Sequence, residues 1–185
     1  MAVKKTKSKA WYTITSPEIF GAKDIGKTTA SDPAFLKGRK ITVSAIEITN
    51  NFSKYYVKFQ FRVADLVGNK VVTEFDGSEC MRDYIARMVI RYVRRIDAVQ
   101  DLETRDGVKI RVKSLSIVSK KMKSSIVKIV RRRMQELVAD EVKKSSLSDF
   151  LERMLDDKAK TRILNEVRRI YPIRNFEFRK TEILR

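Results

Sequence analysis

The stretch Ser78 to Ile96, SECMRDYIARMVIRYVRRI, constrains the fold more than any other part of the chain. Its apolar residues fall at Met81, Tyr84, Ile85, Met88, Val89, Tyr92, Val93 and Ile96. At 3.6 residues per turn, this i, i+3, i+4 recurrence stacks them on one side of an α-helix. Arg82, Arg87, Arg91, Arg94 and Arg95 lie off the stripe. Ser78 is placed to cap the first turn, with Glu79 and Asp83 near the positive end of the helix and Arg94 and Arg95 near the negative end. The spacing predicts one long helix that buries its apolar face and offers arginines to something anionic. A solvated outer face accounts for one such helix equally well, so the rest of the chain decides between the two.

Strand patterns dominate the sequence before that helix. From Arg39 to Thr49, Ile41, Val43 and Ala45 share one phase and Ile46 and Ile48 the other, which suggests a bulge or a strand buried on both faces. From Lys54 to Leu66, Tyr55, Val57, Phe59, Phe61 and Val63 alternate with Lys54, Tyr56, Lys58, Gln60 and Arg62. One face is core; the other is basic and carries an aromatic. Gly68-Asn69 turns this strand into Lys70 to Asp76, a hairpin. A second hairpin is expected from Ala98 to Thr104, through Asp106-Gly107, and back along Val108 to Val118. There Val108, Ile110 and Val112 oppose Lys109, Arg111 and Lys113.

A second long helix is expected over Ser124 to Lys144, its stripe made of Ile126, Ile129, Val130, Met134, Leu137, Val138 and Val142. Short helices follow at Asp149 to Asp156 and about Ala159 to Ile170, and Pro172 precedes a final strand, Ile173 to Leu184. The fold class is α+β. Five to six mostly antiparallel strands form a sheet or a partly closed barrel, with two long and two short helices. Residues 1–38 read as a basic N-terminal extension and loop segment. Residues 39–185 read as a single domain, β-rich over 39–118, mainly helical over 119–170, with the last strand at 173–184.

Composition narrows the function. Lys and Arg total 41 against 23 acids in 185 residues, a formal charge of +18. Such self-repulsion is relieved by a polyanion, and nucleic acid is favoured over an anionic membrane. No apolar run approaches the ~20 residues of a membrane span, and the N-terminus lacks the apolar core of a signal peptide. A soluble, intracellular protein is expected. Cys80 is the single cysteine, so no internal disulfide can form, and it reads as a half-buried packing thiol. The chain has no histidine, which removes Ser-His-Asp and Cys-His catalysis and the commonest metal ligand together. No catalytic residue, metal or cofactor is expected.

One motif argues otherwise. Gly21-Ala22-Lys23-Asp24-Ile25-Gly26-Lys27-Thr28 satisfies the P-loop spacing, in which backbone N–H groups wrap phosphate, Lys meets it and Thr holds Mg²⁺. That geometry needs a buried strand before the loop and a helix starting within it. Pro17 interrupts the upstream segment, and Pro33 would break a helix hardly begun. Lys23 and Lys27 therefore read as phosphate contacts on RNA.

The candidate RNA-binding residues follow the basic faces. They begin with Lys4, Lys5, Lys7 and Lys9 in an arm without periodicity, which reads as one that orders on RNA. Trp11 and Tyr12 anchor the arm, and Trp11 and Tyr56 are the candidates for stacking on bases. Lys23, Lys27, Lys37 and Arg39 come next, then Lys54, Lys58 and Arg62 on the first hairpin. The helix adds Arg87, Arg91, Arg94 and Arg95, and the second hairpin Lys109, Arg111 and Lys113. Lys120, Lys121 and Lys123 lead into Arg131, Arg132 and Arg133. Arginines near a helix N-terminus oppose its dipole, an arrangement that phosphates there would relieve.

Five blocks stand in order: WYTITSPEIFGAKDIGKTT, LKGRKITVSAIEIT, FDGSECMRDYIARMVIRYVRRIDA, TRDGVKIRVKSLSIVSKK and IYPIRNFEFRKTEIL. Together, from Trp11 to Leu184, they resemble the archaeal and eukaryotic small-subunit ribosomal proteins of the S-three-a-e family (e-S-one in newer usage). The resemblance implies a structural constituent of the small ribosomal subunit, cytoplasmic and without catalytic activity. It implies a place on the platform side near the messenger exit, with rRNA, neighbouring ribosomal proteins and messenger RNA as partners and no membrane or small-molecule substrate. The longer basic extensions of eukaryotic members are absent, which points to the archaeal type. The alternatives are a P-loop NTPase acting on RNA and a free-standing RNA-binding chaperone or membrane-surface binder.

Overall fold

A computed structural model describes residues 8–118 and 120–185. Among them, the first part of the chain forms β1 (Ala10–Thr15), β2 (Asp24–Ala30), β3 (Lys40–Ser44), α1 (Ala45–Thr49), β4 (Val57–Val67) and β5 (Lys70–Cys80). The remainder forms α2 (Arg82–Met88), β6 (Arg94–Glu103), β7 (Lys109–Val118), α3 (Ser124–Lys144), α4 (Leu147–Leu155), α5 (Lys158–Arg168) and β8 (Ile173–Ile183). The chain divides into two compact units, one ending at Asp76 and one from Gly77 to Arg185, whereas the sequence pattern suggests a division at 38/39.

The first unit pairs β1 antiparallel with β2 and parallel with β5, and β3 antiparallel with β4, which also pairs with β5. Inward alternation on β4 buries Phe59, Phe61 and Val63, and the first two rings pack with Phe20 and Phe75. Alternation does not reach back to Tyr55 as expected. A 3-10 turn at Phe52–Lys54 precedes the strand, so Tyr55 is exposed while Tyr56 and Lys54 are buried. The phase change at Ala45/Ile46 is not a bulge either. It marks the start of α1, a single turn closed by Asn50 in the left-handed region. Segment 1–38, expected to lack regular structure, contributes two strands, β1 and β2.

In the second unit β8 is central, pairing antiparallel with the end of β5 and with β7, which pairs with β6 at the edge. Helices α3, α4 and α5 cover one face, enclosing Ile96, Ile110, Val112, Val130, Met134, Phe150, Ile163 and Phe176. Helix α3 has the bounds its periodicity predicted. Val127 takes the buried position assigned to Ile129, which is 55% exposed. A capping box of Ser146 and Asp149 starts α4.

The long helix from Ser78 to Ile96 does not form. Ser78 to Cys80 end β5, α2 has seven residues, Ile90 to Val93 turn, and Arg94 begins β6. Ser78 caps nothing: its N–H donates to Thr181 Oγ1 at 3.1 Å and its hydroxyl lies 2.7 Å from the same oxygen. Pairing with β8 and β7 outweighs the helical period. The second half of the segment, rich in β-branched and aromatic residues, has little helix propensity to resist it. Eight strands in an open, mixed but mostly antiparallel arrangement replace the expected five or six. No pairing closes a barrel among the described residues, which hold one long α-helix and four shorter ones.

Candidate nucleic-acid interface

The P-loop spacing runs from a turn at Gly21 onto strand β2. Lys27 is paired with Thr13 and Gly26 with Ile14 in the β1–β2 ladder, and Gly21 closes a 3-10 turn at φ 83°. Strand backbone runs on to Ala30 and no α-helix starts within the loop, so the phosphate cradle that the motif requires is not built.

The basic residues of the first unit are spread over its surface. Lys4, Lys5 and Lys7 lie outside the described residues. Lys9, Lys27, Lys37 and Lys58 are exposed, and Arg62 is half-buried on β4. The Lys23 ammonium donates to the Ile48 carbonyl at 3.1 Å, and Arg39 donates to Thr28 Oγ1 at 2.7 Å. Lys54, 3% exposed, is withdrawn from any phosphate outside the unit, and buried Tyr56 is withdrawn from stacking. Of the two readings of Trp11, its 65% exposure departs from the anchor and suits the stacking residue, and Tyr12 is the buried one of the pair.

In the second unit the sheet face opposite α3 is basic but heavily paired. Arg111 makes a two-pronged contact with Asp101 at 2.6 and 2.7 Å, and Arg95 meets Asp97 at 2.6 Å. Lys113 and Lys180 share Glu182 at 2.9 and 2.6 Å, and their hydrogen bonds hold that carboxyl down to about 2. The Arg111 hydrogen bonds likewise lower Asp101. Deeper in, Glu177 receives hydrogen bonds from Tyr84 at 3.1 Å and Lys160 at 2.5 Å, yet burial raises its pKa. Burial also pushes the Cys80 thiol up to about 12, with Glu177 adding to the effect, so it stays a protonated packing group.

The start of α3 differs. Arg94 donates to the Met122 carbonyl at 2.7 Å and Arg131 to the Asp97 carbonyl at 2.9 Å, pinning edge strand β6 to the helix start. These bonds put Arg94 beside Lys121 and Lys123, with Arg131 two turns further on. Lys120, Lys121, Lys123 and Lys128 are exposed, and no carboxylate engages their side chains among the described residues. The first turn of α3 holds no acid, and Lys123 at the N-cap makes no side-chain cap, so its N–H groups and dipole face the same cations. Arg132 and Arg133 are partly neutralised by Glu136 at 3.2 and 3.3 Å. Lys109 and Arg87 are exposed, and exposed Arg91 stacks over Tyr92 at 5.4 Å. The RNA-binding residues singled out from the sequence do not include Lys128, Arg179 and Lys180, and Arg82 enters there only as an arginine off the helical stripe. The consecutive Arg179-Lys180, breaking strand alternation after Phe178, is the available signal.

No group of three or more Cys, Asp or Glu among the described residues could hold a metal ion, and no helix is long and apolar enough to cross a membrane. Fold and site define a cationic α+β scaffold of the polyanion-binding class. The profile of the Ribosomal S3Ae family matches residues 1–185, and the chain belongs to that family. It is 34% identical over 184 residues to the small ribosomal subunit protein eS1 of Methanopyrus kandleri, covering 97% of this chain and 87% of the relative. The protein of that name from Methanothermobacter thermautotrophicus is 34% identical over 178 residues, 96% of this chain and 91% of the relative. That from Methanothrix thermoacetophila is 36% identical over 180 residues, 97% and 85% of the two chains.

Proposed function

We propose that this chain is a structural, non-catalytic protein of the small ribosomal subunit, acting in translation in the cytoplasm and held on rRNA through lysine and arginine contacts to phosphate. Relatives named as small-subunit proteins align with nearly all of it. The observation that carries the RNA contact is the cluster at the start of α3, where Lys120, Lys121, Lys123 and Lys128 stand unengaged beside Arg94 and Arg131. Cations in this state displace counterions condensed on RNA, and the entropy of their release drives binding. Contacts to phosphate fix position and register without reading sequence, which suits a component that must sit at one place on a folded RNA.

In this reading the basic residues of segment 1–38, which β1 and β2 build into the first unit, add phosphate contacts to those of 39–185. The platform near the messenger exit, neighbouring ribosomal proteins and passing messenger RNA complete the proposed setting.

The test is sedimentation of cell extract through a Mg²⁺-containing gradient, with tagged wild type and the Lys120→Glu, Lys121→Glu, Lys123→Glu variant. Wild type is expected with small subunits, released only by high salt, and the variant near the top. Wild type found free of subunits would refute the reading in favour of a free-standing RNA chaperone.

A further inference from the structure

A cavity of 530 Å³ opens between α2 and the paired-charge face of the second unit's sheet. Its size falls in the roughly 300–1,000 Å³ range of small-molecule sites. One wall is a single helical face, Arg82, Ile85, Ala86 and Val89, at spacing i, i+3, i+4, i+7. The opposite wall is made by Arg95, Lys113, Arg179 and Lys180.

The last two are consecutive, and on a regular strand they would point to opposite faces. The β7–β8 register shifts here: Lys113 faces Lys180 and Ser114 faces Phe178, leaving Arg179 as the extra residue of a bulge. A bulge of this kind re-aims a side chain, and here it brings both cations to one cavity. Arg95 and Lys113 are committed to Asp97 and Glu182, which Lys180 shares. Arg82 and Arg179 meet no carboxylate among the described residues, and Arg179 Nε is buried without a hydrogen-bond partner. Counting Glu79, which also lines the cavity, three carboxylates oppose five cations. Arg179 lines the cavity with no carboxylate on its guanidinium, so an anion there meets a charged donor without a competing partner.

We infer that this cavity receives one unpaired nucleotide of RNA, its phosphate on Arg179 and Arg82 and its base against Ile85, Ala86 and Val89. The proposal rests on the RNA-binding reading above and names the element of RNA that this site selects. A lone phosphate or a carboxylate side chain would answer the charge but leave most of the volume and the apolar wall unfilled. A base inside a duplex could not enter, whereas bulged and looped nucleotides are the parts of RNA that proteins accept one at a time.

The test compares two labelled RNA hairpins, one fully paired and one carrying a single bulged 2-aminopurine, by anisotropy with the full chain. Wild type is expected to prefer the bulged hairpin about tenfold, the size of one base stacked on a protein surface, with a change in 2-aminopurine emission. Ala86→Trp, which fills the cavity from an exposed position, should abolish the preference while leaving affinity for the paired hairpin, and Arg82→Gln, which needs no repacking, should weaken the bulged hairpin more than the paired one and so abolish the preference too. Lys120→Ala, Lys121→Ala, Lys123→Ala should weaken both hairpins alike. Equal wild-type affinity for the two hairpins, or a preference that survives both cavity variants, overturns the pocket and leaves the RNA-binding reading standing. Binding to neither hairpin overturns both. Displacement of the bulged RNA by an acidic peptide, sensitive to Ala86→Trp, assigns the cavity to a protein partner and also overturns the proposal.

Discussion

Replacing Lys160 with methionine removes the ammonium that meets Glu177 at 2.5 Å, while keeping most of the side chain's volume. The carboxylate is 5% exposed and the lysine 18%, so the pair is close to fully desolvated. Breaking such a pair from one side costs roughly 3–5 kcal/mol, because the remaining charge is buried without its partner. Two features of the site pull the figure down. The Tyr84 hydroxyl still donates at 3.1 Å, and the carboxyl can escape by taking up a proton. For an ordinary carboxyl that escape costs about 3.5 kcal/mol at pH 7, at about 1.36 kcal/mol per pH unit, and so caps the loss. The expected destabilisation is therefore about 2–3.5 kcal/mol, a fall in melting temperature of about 4–14 °C for a chain this long.

The pH dependence distinguishes this cause from lost packing. Burial already raises the Glu177 pKa, and removing Lys160 raises it further. Between the ordinary carboxyl value and the raised one, the folded state holds more protons than the unfolded state. Stability then falls as pH rises through that window and is recovered as pH drops. The variant should approach wild type as pH falls from neutral towards the ordinary carboxyl range, read by urea unfolding followed by far-UV circular dichroism. The Lys160→Met, Glu177→Gln double variant should lie within about 1 kcal/mol of wild type, since no buried charge remains. A loss in Lys160→Met that is independent of pH, or a double variant no better than the single, would refute the reasoning.

The Lys120→Ala, Lys121→Ala, Lys123→Ala variant should bind small-subunit rRNA with a log K against log salt slope shallower by about 0.7–0.9 for each phosphate left unneutralised, about 2–3 in all. Filter binding across a salt series checks this, and an unchanged slope would place those lysines away from phosphate. Gly77→Ala puts a Cβ into hard contact with the Thr181 carbonyl oxygen, a backbone atom with little room to yield. Thermal unfolding should show a loss of about 3 kcal/mol or more, the upper end for overpacking. Glu182 is held to about 2 by Lys113 and Lys180, so its contribution to stability is complete above the ordinary carboxyl range and lost as pH falls through that value. A side-chain NMR titration should find its midpoint near there, and Lys113→Met, which leaves Lys180 in place, should move it upward.

Both hairpins were legible because their information is short-range. Alternation with a glycine turn sets a register, and Gly68 at φ 60° and Gly107 at φ 75° take the left-handed backbone such turns need. The second register even contained the Arg111–Asp101 pair, since those residues face one another across the strands. Helix α3 was legible because 21 residues keep one period. Ser78 to Ile96 was not, because its apolar spacing also fits a short helix followed by a strand on which Ile96 and Ala98 face the core. What separates them is pairing with β8 and β7, distant partners such as Thr181, 103 residues from Ser78 along the chain. The bulge at Arg179 and the sharing of Glu182 also depend on β8, and no local pattern announces either.

That dependence explains why a ranking of cations by sequence could not succeed. Arg111, Lys113 and Lys120 look equivalent in a basic run, yet the first two are held by carboxylates and the third is not. Exposed ion pairs contribute only about 0–1 kcal/mol to stability, so such pairing does little to hold the fold. Its larger effect is on the surface potential. It neutralises cations on the sheet face, so that part of the +18 surplus stands unpaired at the start of α3 and at Arg82 and Arg179. A uniformly positive protein would adhere to RNA in many orientations with similar affinity. One whose acids quench most of a face, and spare a helix start and a cavity, has fewer ways to lie on a polyanion. The 23 acidic residues thus help orient the protein on RNA that its 41 basic residues attract.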